Sequence, residues 1–296
     1  MLHKLNQGVI ALNTVYRNFT LAQLDSAYDN RGAVPNVGVL RVEREQRSVA
    51  LDQRVRHDRD LPYGPSARQR LDFYHCGHAD RPTVAYIHGG YWQWNDKEPH
   101  SFIAAGLLER GLNVVNIEYT LTPTATITQI VAEIHACMVW LLPRLSTQFG
   151  ASEKLIVSGH SAGGHLTAIA LEVPGVHGGI AISGLFDLEP IQLGSLNAAM
   201  RMTAQEARLN SPAHRQPGHA PCIVAVGGAE LPELVRQSRD YETFLRTKGC
   251  DVRELVIPGE DHFSILEQLA QPHGVLANAA VELAERSVDR LSRADR

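Results

Sequence analysis

The sequence predicts a doubly wound α/β sandwich, on three observations. Several short runs, among them VAYIH, LIVSGH and CIVAVG, are apolar almost without a break, as strands buried on both faces of a parallel sheet are. Longer stretches between them carry helical patterns, so strand and helix alternate along the chain. With 296 residues, 44% hydrophobic and 20% charged, the chain can bury the core of one large α/β domain.

In chain order, strands are expected at residues 70–74, 83–88, 113–119, 154–159, 179–183, 222–227 and 252–257. Helices are expected at 101–110, 127–148, 162–171, 234–248 and 275–291, with Gly111 and Gly249 where C-terminal caps belong. Two stretches break the alternation. Residues 1–67 are polar and partly helical, with many charges from Arg41 to Asp60. Residues 185–220 form a long excursion after a strand, and such insertions often roof an active site. The expected organisation is a single domain over 1–296, with 1–67 as a cap segment and 185–220 as a lid.

A net charge of -4 gives no surface for a polyanion, so nucleic acid is not an expected partner. Cys76, Cys137, Cys222 and Cys250 are scattered without a CxxC pair, as buried thiols in a reducing compartment are. The opening MLHKLNQGVIALNTVYRNFT lacks the small-residue cleavage site of a signal peptide. No apolar run approaches the roughly 18 residues that a membrane crossing needs. The expectation is a soluble cytoplasmic protein that binds a small molecule, makes no membrane contact, and is compatible with a homodimer.

The chemistry centres on Gly159-His160-Ser161-Ala162-Gly163, which follows the strand KLIVS and opens a helix. In that setting G-x-S-x-G forms a sharp turn that exposes the serine Oγ above the sheet, which points to the α/β-hydrolase fold with Ser161 as nucleophile. The helix N-terminus aims free N–H groups at developing negative charge. The bland alternative is an ordinary serine in a small-residue turn.

A second motif, His88-Gly89-Gly90-Tyr91-Trp92, follows the strand TVAYI. Acyl transfer builds an oxyanion, and preorganised N–H donors aimed at it are usually the largest catalytic contribution. The amides of Gly90, Tyr91 and Ala162 are the expected donors, with Gly89 giving the turn its freedom.

Hydrolases of this fold order their triad Ser, Asp/Glu, His along the chain. His262, in the strand-loop-helix run VRELVIPGEDHFSILEQL, is the expected base. Glu230, after the strand CIVAVG, is the preferred acid, and Asp187 after the preceding strand is the alternative. Glu233 is already close to the next helix, and Asp261 adjoins His262 too closely to reach its far ring nitrogen. Trp92, Trp94, Phe186 and Phe263 are candidates for an aryl pocket, each with core packing as its alternative. No metal-ligand grouping is visible around His75 or His78.

HGGYWQ followed by GHSAGGHL resembles the kynurenine formamidase (arylformamidase) family of α/β-hydrolases. RLDFY, SGLFDLEPI, VGGAELPELVRQSRDY and EDHFSILEQL extend the likeness over roughly residues 68–270, and YDNRGAVPN is a weaker match. The family places its acid in a segment shaped like VGxxDSPEF, so the resemblance implies Glu230 as the acid, with glutamate for the usual aspartate. It also implies a serine hydrolase without a cofactor that cleaves an aryl formamide, most like N-formylkynurenine. A carboxylesterase for small aryl or short-acyl esters would use the same residues. A non-catalytic binding protein on this fold would have lost at least one of the three motifs, and all are present.

Overall fold

The computed structural model describes residues 13–286. Among the described residues ten strands form, β1 (Thr14–Tyr16), β2 (Phe19–Thr20), β3 (His57–Pro62), β4 (Arg70–Tyr74), β5 (Thr83–Ile87), β6 (Asn113–Ile117), β7 (Leu155–His160), β8 (Val176–Ile182), β9 (Cys222–Gly227) and β10 (Val252–Ile257). The first two make a small antiparallel ribbon. The other eight form one mixed sheet in the order β10-β9-β8-β7-β5-β6-β4-β3. Pairing is parallel from β10 through β6 and antiparallel where β4 meets β6 and β3 meets β4.

Successive residues of the inner strands enter opposite cores. Ala85 and Ile87 pack in one apolar cluster, while Val84 and Tyr86 pack in the other. Both faces are therefore covered by helices, which is why these strands read as unbroken apolar runs. The molecule has the α/β-hydrolase fold, a mixed sheet flanked by helices on both faces.

All seven expected strands form, with small shifts at their ends. The edge strand β3, HDRDLP, was not expected. Its charged, half-exposed sequence has no apolar period, a common composition for an edge that must not pair further. The expected helix at 127–148 is two, Ile127–Leu141 and Arg144–Thr147, separated at Pro143, which has no N–H to continue the ladder. Thr126 and Gln129 start the first of these with a reciprocal capping box. The segment expected at 101–110 begins as a 3₁₀ turn, Glu98–Ile103, before the helix Ala104–Glu109. Gly111 and Gly249 end helices at φ +73° and +74°. The last helix runs Val275–Glu285, and the part expected after 286 lies outside the described residues, as do residues 1–12 of the N-terminal segment.

The N-terminal segment contributes helices Leu21–Ala27, Asn30–Ala33 and Val37–Arg54. The 185–220 excursion contributes Glu189–Leu193, Asn197–Met200 and Ala204–Asn210. Both converge at the carboxyl ends of the parallel strands, where ligands bind in open α/β sheets. Among the described residues, no helix is long and apolar enough to cross a membrane.

Candidate active site

Ser161 sits between β7 and the helix Ala162–Ala170 with φ 59° and ψ -118°, a conformation few side chains adopt. The helix lies so close to the sheet that a side chain on Gly163 would run into the Ile87 carbonyl. Ser161 N donates to Ile182 O at 2.8 Å and Ser161 O accepts from His165 N at 3.1 Å, so neighbouring elements hold the strained turn.

His262 lies on the loop after β10. Its Nδ1 is 2.6 Å from Glu230 Oε2. The other carboxylate oxygen accepts from Ser183 Oγ at 2.5 Å and Gly227 N at 2.8 Å. Glu230 is thus held through both carboxylate oxygens, and Gly227 leaves room beside it, since a Cβ there would lie 3.1 Å from Glu230 Cγ. The alternative acid, Asp187, and the two carboxylates set aside, Asp261 and Glu233, are engaged elsewhere. Asp187 Oδ1 accepts from Glu189 N at 3.1 Å, and Asp261 Oδ1 accepts from Phe263 N and Ser264 N at 2.7 and 2.8 Å. Glu233 pairs with Arg236.

Ser161 and His262 both line a cavity of about 610 Å³. No hydrogen bond closes between the serine hydroxyl and the imidazole in this arrangement, and such bonds commonly tighten only when substrate arrives. His160 packs beside His262, with ring centroids 4.5 Å apart. Burial, reinforced by the neighbouring His262, keeps His160 well below the usual histidine range, so it adds no charge next to the base.

The 88–92 loop presents its amides by anchoring its carbonyls. Gly89 O accepts from Asn95 Nδ2 at 3.0 Å and lies 2.9 Å from His88 Nδ1. Gly90 O accepts from Gln93 N and Trp94 N at 2.9 and 3.0 Å. In a trans peptide the N–H points opposite to the carbonyl. The amides of Gly90 and Tyr91 therefore face away from these anchors, and no described residue accepts from them or from Ala162 N. The turn runs through φ +120°, +48° and +56° at Gly90, Tyr91 and Trp92. Gly89 leaves room, since a Cβ there would lie 3.1 Å from that of Ser161.

Beneath the loop, His88 Nε2 lies 3.1 Å from Glu118 Oε1, and the same carboxylate accepts from Arg68 and from Lys97 N. Burial raises the Glu118 carboxyl, but the His88 hydrogen bond and the charges of His88 and Arg68 outweigh it and hold the group below its ordinary range. Above the loop, Tyr91 Oη donates to Tyr28 O at 2.7 Å and accepts from Asn30 Nδ2 at 3.1 Å. Arg44, from the long N-terminal helix, donates to Phe263 O at 2.6 Å and steadies the loop that carries His262.

Of the four expected pocket aromatics, Trp94 and Phe263 line the cavity. Trp92 and Phe186 do not, and that part of the expectation is corrected. Trp92 is fully buried with its ring edge-on to His165, and Phe186 stacks on Tyr241 in the core. The remaining walls include His100, Ser195 and Leu196, which the sequence did not single out, and Tyr28, Asn30 and Arg31 of the YDNRGAVPN segment, to which it assigned no role in the site. Only the fold brings these residues over Ser161. Among the described residues, no group of three or more His, Cys, Asp and Glu is arranged to hold a metal ion.

A family model described as BD-FAE matches residues 71–174. The chain is 32% identical over 244 residues to the kynurenine formamidase of Danio rerio, covering 77% of this chain and 82% of that one. It is 34% identical over 227 residues to that of Salmo salar, covering 71% and 76%. A crystallised protein of Silicibacter sp. TM1040, provisionally named a thioesterase, superposes with a TM-score of 0.78 at 27% identity, over 86% of this chain and 98% of that one. Fold and relatives together mark a hydrolytic enzyme of the α/β-hydrolase type. The chain belongs to the family of α/β-hydrolases that contains these kynurenine formamidases.

Proposed function

We propose that the protein is a serine-dependent amidase that cleaves aryl formamides, with N-formylkynurenine as the type of substrate. The observation that carries this reading is the meeting of Ser161, His262 on its Glu230 partner, and the uncommitted amides of Gly90 and Tyr91 at one cavity, with the uncommitted amide of Ala162 next to Ser161 in the chain. The formamidase relatives direct it toward a C–N bond.

In this reading His262, oriented by Glu230, takes the Ser161 proton as Oγ attacks the formyl carbon. The carbonyl oxygen gains the charge and rests on the amides of Gly90, Tyr91 and Ala162. As the intermediate collapses, the C–N bond breaks and His262 returns the proton to the departing aryl amine. A water then gives a proton to His262 as its oxygen attacks the formyl-serine ester, the ester C–O bond breaks with that proton returned to Ser161 Oγ, and the formic acid released ionises to formate in solvent. Trp94 and Phe263 flank the aryl group. The segment around Tyr28 and the 185–220 excursion act as cap and lid.

The test compares turnover of N-formylkynurenine with that of 4-nitrophenyl acetate. Formamide cleavage with kcat/KM at least comparable to that for the ester supports the reading. Ester turnover without formamide cleavage makes the protein a carboxylesterase and ends it.

A further inference from the structure

The charged groups lining the cavity are nearly all committed to partners within the protein. Asp25 accepts from Ser195 N and Oγ at 2.7 and 2.6 Å. Asp29 accepts from Gly32 N at 2.9 Å. Arg44 is bonded to Phe263 O and Glu267, and His262 to Glu230. His100 is kept neutral, its pKa lowered to about 3 by burial and the nearby His88. Arg31 is the exception: among the described residues its side chain has no hydrogen bond and no ion pair, yet it lines the cavity.

Its guanidinium lies 4.8 Å from the centroid of the Trp94 ring. Trp94 in turn meets Tyr91 edge-on, with ring centroids 6.3 Å apart. A ladder thus runs from Arg31 through Trp94 to the loop whose amides face the reacting carbonyl. A guanidinium resting on an indole uses its face for the contact and keeps its in-plane N–H edge free. That edge matches a carboxylate, which it can bind through two parallel hydrogen bonds. Because the contact with Trp94 restricts the side chain, less freedom is lost when the anion arrives.

We infer that Arg31 is a specificity-determining residue that recognises a carboxylate on the leaving-group side of the substrate, so that the enzyme selects acidic aryl amides over neutral ones. This rests on the reading of Ser161 as the acylated residue and deepens it by naming the charge of the leaving group. The aryl ring lies along Trp94 and its carboxylate extends to Arg31.

The experiment measures kcat/KM for N-formylkynurenine and for the analogue in which hydrogen replaces the carboxylate, in wild type, Arg31→Ala and Arg31→Lys. A charge-assisted hydrogen bond of this kind corresponds to about 10- to 100-fold in selectivity. Arg31→Ala is expected to lower the ratio of the two values by about that factor, mostly through KM, and Arg31→Lys to restore part of it. An unchanged ratio overturns the inference, even if both values fall together, because that is the mark of a merely structural role. If neither formamide is cleaved, the amidase reading fails separately and the site is read on the ester. Kynurenine should then inhibit 4-nitrophenyl acetate hydrolysis better than its decarboxylated analogue in wild type but not in Arg31→Ala. Equal inhibition by the two in wild type overturns the inference on that route.

Discussion

Glu230 holds His262 Nδ1 at 2.6 Å through one oxygen while Ser183 and Gly227 hold the other. Such a carboxylate orients the imidazole and fixes its tautomer. Glu230→Gln should lower kcat by about 10³- to 10⁴-fold with the fold intact. Glu230→Asp is one methylene short and must release either His262 or the Ser183–Gly227 pair, so a loss of about 10²-fold is expected. Steady-state kinetics alongside a circular dichroism spectrum check both.

Ser161→Ala should abolish labelling by a fluorophosphonate probe and leave less than about one part in 10³ of kcat. Its melting temperature should equal or exceed that of wild type, because alanine removes a buried hydroxyl without altering the held turn. Labelling that persists in the variant would place the nucleophile elsewhere.

Gly90→Ala tests the loop that presents the amides. At φ +120° an added Cβ is strained and meets the Trp94 carbonyl, so the turn must shift. Displacing one oxyanion donor costs about 10²- to 10³-fold in kcat with a small change in KM. A variant that changes KM alone would show that these amides do not meet the transition state.

Four histidines give stability a pH dependence, and one of them, His177, is lowered by partial burial. His100 and His165 have pKa values lowered to about 3 and about 4, and His160 is lowered well below the usual range, burial being the main cause for each. The unfolded chain takes up these protons near pH 6.5 while the folded protein does not. Unfolded molecules then bind more protons, so stability falls as pH drops below about 6.5, by up to about 1.4 kcal/mol per pH unit per site. Urea midpoints at pH 7, 6 and 5 should decrease in that order. His165→Gln should flatten the slope, and an unchanged slope would remove His165 from the set.

Asp25 ties the N-terminal segment to the 185–220 excursion through Ser195. Asp25→Ala should raise KM about 3- to 10-fold, the range of one or two exposed hydrogen bonds, and speed proteolysis within 185–220. Equal proteolysis rates would show that this link does not restrain the excursion.

The parts of the fold that the sequence made legible are those with a strict period. β5, β7 and β9 feed two cores with alternate residues, and their continuous apolar runs report it. β3 escaped notice because HDRDLP has no such period. The site was legible where chemistry limits the choice of residue: glycine at 89, 90, 159 and 163, a serine between strand and helix, a histidine after the last strand. Its supports were not. Ser183, Asn30 and Arg44 act through contacts made by distant parts of the chain, and nothing local to them marks the role. Trp92 shows the converse, since an aromatic beside a catalytic motif was read as pocket while the left-handed turn sends it into the core.

The cavity is walled by Asp25 to Arg31 at one end of the described chain and by His262 to Leu266 near the other. During synthesis the first of these emerges from the ribosome some 230 residues before the second, at about 5–20 residues per second. In the later part of that interval the elbow and the 88–92 loop have emerged, without a base and without a finished pocket. A growing chain is thus chemically silent until its last strand is laid down, and a truncated product ending before His262 should be inert rather than indiscriminate.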